Sequence, residues 1–200
     1  MMKKALCGIS LALAAVVASG AAQAGPVQSN GCKGNQVFQS IGDLMFYVGL
    51  VDGDMEGKAR RVKRDGDAKL VNEQATLGLG GKQDSRALRL REGGSASLHQ
   101  RCDKWVFPTV RFAYANTGSS EGTLRVEVRY KDLAGVTQSV ELGTLTRGNT
   151  WQASPALGFL VATDPLAGQV DGDIKVTLTA VGDGAEFLVD DVYIDPRVSW

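Results

Sequence analysis

The sequence predicts an all-β protein of two packed sheets, a sandwich or jelly roll, and three observations carry that prediction. Apolar and polar residues alternate with period two in several separate segments. The clearest is Thr123 to Lys131, where Leu124, Val126, Val128 and Tyr130 face one way and Arg125, Glu127, Arg129 and Lys131 the other. Turn clusters such as Gly93-Gly94-Ser95, Asn116 to Gly122 and Gly182-Asp183-Gly184 separate these segments at the spacing of sheet proteins, roughly ten residues. Beyond the N-terminal leader, no run has both the length and the 3.6-residue period of an amphipathic helix.

In chain order, Met1 to Ala24 has the grammar of a secretory signal peptide. Lys3 and Lys4 form its basic start, Leu11 to Val17 its apolar middle and Ala22-Gln23-Ala24 its small-residue cleavage site. That apolar run is about half the ~20 residues a membrane-spanning helix needs, and no later stretch comes closer. The expected protein is therefore exported, secreted or periplasmic, with no transmembrane segment. Cys7 would leave with the leader. Residues 25–37 read as an extended lead-in, and residues 38–200 as a single β-sandwich domain.

The chain holds 22 basic and 22 acidic residues. Removing Lys3 and Lys4 with the leader leaves a net charge of −2, which argues against nucleic acid as a partner. Arg60, Arg61, Lys63 and Arg64 make one locally basic stretch, flanked by Asp52, Asp54, Glu56, Asp65 and Asp67, and a solvated strand face is its simplest reading. Cys32 and Cys102 remain. In an oxidising compartment they are expected to form one disulfide, closing a loop of about 70 residues and adding roughly 4 kcal/mol on the chain-entropy model.

Phe38 to Val51 predicts a short helix in its first half and an edge strand in its second. Three Asp-Gly-Asp triplets follow along the chain, at 52–54, 65–67 and 171–173. Asp-Gly supplies the positive φ of tight turns, so all three read as turns; the alternative is a hard-cation loop, without the denser spacing of an EF-hand. Leu88 and Leu90 alternate with Arg89 and Arg91. Val110, Phe112 and Tyr114 repeat that pattern, as do Ile174, Val176, Leu178 and Ala180. The last segment, Ala185 to Arg197, carries Asp190 and Asp191 inside an apolar run. Carboxylates placed there must be paired, hydrogen-bonded or bound to a cation, because bare burial costs several kcal/mol.

With those segments in place, the chain resembles the jelly-roll, galactose-binding-like domains of many carbohydrate-binding modules. Gly53 to Glu56 (G-D-M-E) is similar to their first-strand "G-x-F-E", and Phe187 to Asp195 to their closing "I-D-D-V-x-V-D". It resembles still more closely a set of uncharacterised exported bacterial proteins. The shared pieces are Gly42-Asp43 and Tyr47, Asn72-Glu73, Cys102 with Pro108-Thr109-Val110-Arg111-Phe112, Leu124 through Gly135, Trp151, and Asp190 through Pro196. One departure is the basic run Arg60 to Arg64, where those proteins have a tryptophan soon after "F-E".

The resemblance implies one structural calcium joining the first and last strands. Glu56 and Asp190 are its leading ligands, with Asp191 and Asp54 as seconds. The competing reading gives Asp190 or Asp191 backbone amides, or an arginine such as Arg111, as partner. No organic cofactor is implied.

Sugar binding requires aromatic faces beside amide or carboxylate partners. Trp151, with Asn149 and Gln152 nearby, is the candidate, although capping the sandwich is an equally available role; Trp105 and Trp200 are the other tryptophans, and Tyr114 and Tyr130 fall on core faces. The sequence lacks a nucleophile elbow, a zinc helix and a Walker loop. Glu73 and Glu141 are carboxylates without a defined partner, so no catalytic residue is assigned. The expected function is a non-catalytic binding module for carbohydrate or another cell-surface polymer. The alternatives are an envelope structural or adhesive protein working through protein contacts, on the face of Arg125, Arg129 and Lys131 or on Arg60 to Arg64, and a lyase or hydrolase on the same sandwich.

Overall fold

Alternating segments can bury their apolar sides only by facing one another across two sheets, and the chain does so. The computed structural model describes residues 32–79, 84–105, 107–132, 134–146, 148–161 and 170–196, with backbone alone at 101–105 and 170–172. The leader, Trp200 and the side chains of Cys102 and Trp105 lie outside the described residues. Among the described residues twelve strands are formed: β1 (Val48–Gly49), β2 (Lys63–Asp65), β3 (Ala68–Val71), β4 (Ala87–Arg91), β5 (Ser95–Trp105), β6 (Thr109–Asn116), β7 (Thr123–Lys131), β8 (Thr137–Leu145), β9 (Gln152–Ala153), β10 (Leu157–Gly158), β11 (Val170–Val181) and β12 (Glu186–Asp195). One sheet runs β10-β6-β12-β4-β3, with β1 beside β12 and β9 beside β6; the other runs β2-β5-β11-β7-β8. Every pairing is antiparallel. The chain is an all-β jelly-roll sandwich, as its patterning predicts. Among the described residues no helix is long and apolar enough to cross a membrane.

The main core fills the space between the sheets. Leu98, Val126, Val128, Val176 and Leu178 enter from the five-stranded side, and Leu88, Phe112, Phe187, Val189 and Ile194 from the other, all fully buried. Tyr114 and Tyr130 are core residues, and the Tyr130 hydroxyl donates to the Leu160 carbonyl at 3.0 Å.

Strands β6 and β12 depart from simple alternation, because both their faces are covered. A second core of Phe38, Tyr47, Ala75, Leu79 and Ala113 lies outside the seven-stranded sheet, with Tyr193 and Trp151 packed against it. The lead-in supplies that cover. A 3-10 turn at Gln39–Ile41 ends at Gly42 in the left-handed region (φ 85°). The chain then returns so that Tyr47 bridges Asn35, and β1 pairs with the end of β12. Phe38 meets Tyr47 and Tyr193 edge-on, at 4.9 and 5.8 Å between ring centres.

Two expectations are corrected here. The first triplet turns the chain as its Asp-Gly predicts, so Gly53 to Glu56 is not the first strand that the resemblance implies: Asp52, Met55 and Ala59 have positive φ (58°, 53° and 37°), which an extended backbone does not allow. The third triplet, Asp171-Gly172-Asp173, lies inside β11, beside an irregularity in the pairing with β5 between Val170 and Gly172, rather than turning the chain.

Candidate functional site

The closing strand positions the buried carboxylates. β12 follows β6 in register from Phe187 to Asp190 and again from Tyr193 to Asp195, with an irregularity between. Asp191 takes up the extra residue in the left-handed region, φ 52°. Val189 and Val192 both reach the main core, while Asp190 sits opposite Ala113 of the outer core. Asp190 and Asp191 are 0% and 1% exposed. Oxygens of Asp84, Asp190 and Asp191 all lie within 4.8 Å of one another.

The first Asp-Gly-Asp triplet docks on this bulge. The Val192 amide donates to the Gly53 carbonyl and the Leu50 amide to the Val192 carbonyl, each at 2.9 Å. A β-carbon on Gly53 would stand 2.6 Å from the Val192 oxygen, so only glycine fits. All four non-glycine residues with positive φ among the described residues (Asp52, Met55, Ala59 and Asp191) belong to this contact or its flank.

The predicted ligands are only partly brought together. Asp190 and Asp191 meet, and their third partner is Asp84, which sequence reasoning missed. Glu56 uses its carboxylate on the loop that carries Asp84: Oε1 accepts from the Ser85 and Arg86 amides at 2.7 and 3.0 Å, and Oε2 from the Ser85 hydroxyl at 2.9 Å. Burial pushes Glu56 upward, but those donors and the Arg86 charge outweigh it and hold its carboxyl below the ordinary range. Asp54 is exposed, outside the triad, and lines a pocket of about 240 Å³ with Asp52 and Tyr193. Arg111 is not the partner of the triad, since it pairs with Asp43 instead.

Electrostatically the triad is unbalanced. Asp190 is pushed up to about 10 by burial and by the charges of Asp191 and Asp84, against a single amide donor, that of Asp191 at 2.7 Å. Its Oδ2 is buried without a hydrogen-bond partner. Burial, with the Glu56 charge, raises Asp84 as well, though contacts to Asp190 and the Ala75 amide oppose this. Such a group either holds a proton or takes up a cation.

Other sequence candidates fall elsewhere. Trp151 is half-buried against the outer core; Asn149 is exposed and Gln152 half-buried beside it. Cys32 is 7% exposed in the main core.

The opposite side of the molecule is an open surface. Among the described residues the second core covers the outside of the seven-stranded sheet, and the outer face of the five-stranded sheet is the broad uncovered one. Ser95, Ser97 and His99 of β5, Lys175, Thr177 and Thr179 of β11, and Arg125, Glu127, Arg129 and Lys131 of β7 reach solvent wholly or in part, while the residues between them are buried. Ser97 and Thr177 join hydroxyls at 3.0 Å, and Ser139 of β8 donates to Glu127 at 2.8 Å.

No family model matches the sequence, and no curated protein matches it. Solved structures share the fold. The CBM22-1 and GH10 modules of Clostridium thermocellum endo-1,4-β-D-xylanase 10B, complexed with xylohexaose, match at a TM-score of 0.50 and 16% identity, over 74% of this chain and 27% of that one. The carbohydrate-binding module TmCBM61, complexed with β-1,4-galactotriose, matches at 0.44 and 21% identity, over 74% and 97% of the two chains. The enzymatically active domain of tailspike protein 4 from bacteriophage CBA120 matches at 0.48 and 15% identity, over 72% and 20%.

Proposed function

We propose that this protein is an exported, non-catalytic binding module that holds a polysaccharide or a similar cell-surface polymer on the outer face of its five-stranded sheet. The observation that carries the reading is the composition of that face. It is wide, open and built from hydroxyl and charged side chains, and among the described residues its exposed large apolar side chain is Val181 at a strand end. A protein partner selects for an apolar centre, whereas a polyhydroxylated chain is held by many polar contacts. The fold shared with a xylanase's carbohydrate-binding module is consistent with this use, and the leader grammar of residues 1–24 with export.

The test is a glycan array followed by titration of the hits, with Trp151→Ala as a second arm. Binding kept in Trp151→Ala is the expected result. Because Trp151 lies outside the other sheet, binding lost there with the fold intact would move the site to Asn149, Trp151 and Gln152, and silence across the array would sink the carbohydrate reading. A protein-contact reading has one observation in its favour: Ile41, Leu44 and Met45 stand exposed together on the lead-in turn, at 47%, 60% and 37%.

Two stabilising features belong to the same proposal. Asp84, Asp190 and Asp191 would hold one calcium ion, with Glu56 fixing the Asp84 loop and Asp54 nearby; the orphaned Asp190 oxygen and the hard carboxylate donor set fit that ion. A Cys32–Cys102 disulfide would tie the lead-in to β5. Cys32 is buried in the main core, and mass spectrometry of the exported protein should find no free thiol at either position. Two free thiols there would remove the bond.

A further inference from the structure

Resting on the carbohydrate reading, we propose that the ligand of the five-stranded face is acidic: a uronate-bearing polysaccharide whose carboxylates lie along the row of Lys175 and Arg129. The strand register sorts the charges on this face instead of pairing them. Lys175 stands directly opposite Arg129 on β7 and His99 on β5, and Arg129 opposite Ser139. One row along, Thr177 stands opposite Ser97 and Glu127, and Glu127 opposite Glu141 on the edge strand. Like charges directly across a ladder repel, and the face carries two such pairs side by side.

Rotating the long side chains diagonally would bring each cation to a carboxylate, since diagonal neighbours are within reach. That does not happen. The ion pairs among the described residues are Lys69–Asp67, Arg91–Glu186 and Arg111–Asp43, none of them on this face. The Lys175 and Arg129 heads therefore stay available to an outside anion, with Lys131 two residues further along β7 adding a third positive charge.

The two rows together select the anion. A guanidinium takes a carboxylate through two parallel hydrogen bonds, and an ammonium adds a point charge beside it. Glu127, Glu141 and Thr177 on the neighbouring row suit sugar hydroxyls, which donate to carboxylates. A uronate unit carries one carboxylate and several hydroxyls on one ring, so it matches a cationic row set beside an acidic one. A fully sulfated chain or a nucleic acid would set phosphate or sulfate against Glu127 and Glu141. Among its described side chains the face shows no Phe, Tyr or Trp, so charge and hydroxyl contacts are what its described residues offer a chain.

The experiment titrates the protein with polygalacturonate, its methyl ester, neutral xylan and dextran sulfate, comparing wild type with Lys175→Gln/Arg129→Gln and with Lys69→Gln on the other sheet. The expected result is binding of polygalacturonate that weakens about tenfold or more on esterification and in the double variant, but not in Lys69→Gln. The double variant should unfold no earlier than wild type, since it removes a repulsive pair; that measurement separates a lost site from a lost fold. Xylan bound as well as polygalacturonate and insensitive to the double variant would overturn the acidic ligand and leave the carbohydrate reading standing. Dextran sulfate bound as tightly would reduce the face to a general polyanion surface and also overturn it. Binding to none of the four, with the array silent, would overturn both.

Discussion

Calcium should raise the unfolding midpoint of this protein, and excess chelator should lower it, by about 5–10 °C. An ion present at about a hundred times its dissociation constant adds about 2.7 kcal/mol to the state that binds it, and about 1 kcal/mol moves the midpoint of a chain of this size by roughly 2–4 °C. The effect follows from the Asp84, Asp190 and Asp191 triad, whose oxygens crowd within 4.8 Å with Asp190 fully buried. Asp190→Asn should abolish the calcium response. In chelator it should be at least as stable as wild type, because the amide is neutral without the proton that Asp190 must take up to fold. An identical midpoint in calcium and chelator would remove the ion from the account.

The pH dependence has a definite sign. Burial and the neighbouring carboxylates raise Asp190 in the folded state from 3.8 to about 10. Between those values the ion-free folded protein keeps a proton that the unfolded chain has lost, so stability falls as pH rises from 4 toward 10. Calcium requires the deprotonated carboxylates, so its affinity grows with pH. The gap between the calcium and chelator midpoints should widen steadily from about pH 5 to pH 8, which thermal scans in matched buffers would measure. A gap that narrows would contradict the raised Asp190.

Period-two alternation made the strands readable because it reports directly which side of a sheet meets the core. It identified β4, β6, β7, β11 and β12, and the adjacent Asp190 and Asp191 marked the place where that pattern breaks. What alternation does not encode is a third layer. Nothing in the β6 segment announces that Ala113 and Arg111 will be covered from outside, because the cover comes from Phe38 and Tyr47, far away in sequence. Asp84 was invisible for a similar reason. It sits in a polar loop without a motif, and it reaches the triad only because Glu56 captures the amides of Ser85 and Arg86. The resemblance named Glu56 and Asp190 as direct partners; the geometry brings Asp84 into the triad and has Glu56 hold the loop behind it. The charge rows of the five-stranded face were present as alternating residues, but rows form across strands, and register is a property of the folded sheet.

Arg111→Met should be among the most damaging single changes outside the main core, costing about 3–5 kcal/mol, the usual result of stripping one member from a buried ion pair. Arg111 and Asp43 keep only 14% and 16% of their side-chain surface exposed. Arg111 also lies 4.8 Å over the Phe38 ring and donates to the Ser154 carbonyl at 3.0 Å. Removing it leaves the Asp43 carboxylate facing Tyr47 alone among side chains, whose hydroxyl donates to it at 2.8 Å, and frees the turn that pins the lead-in to the sheet. Asp43→Asn in the Arg111→Met background should recover part of the loss, because it removes the stranded charge. Burial works to raise Asp43, but the Met45 amide, Tyr47 and Arg111 outweigh it and hold the carboxyl below its ordinary 3.8. A carboxyl depressed by folding stabilises the protein above its unfolded value and loses that contribution as pH falls through the folded one. The wild type should therefore lose stability on acidification below about pH 4, and Arg111→Met should lose less over the same range. Urea unfolding at neutral pH and at pH 3 reads both effects. A cost under about 1 kcal/mol at neutral pH would show the pair behaving as an exposed surface bridge, with the lead-in held by Phe38 and Tyr47 packing instead.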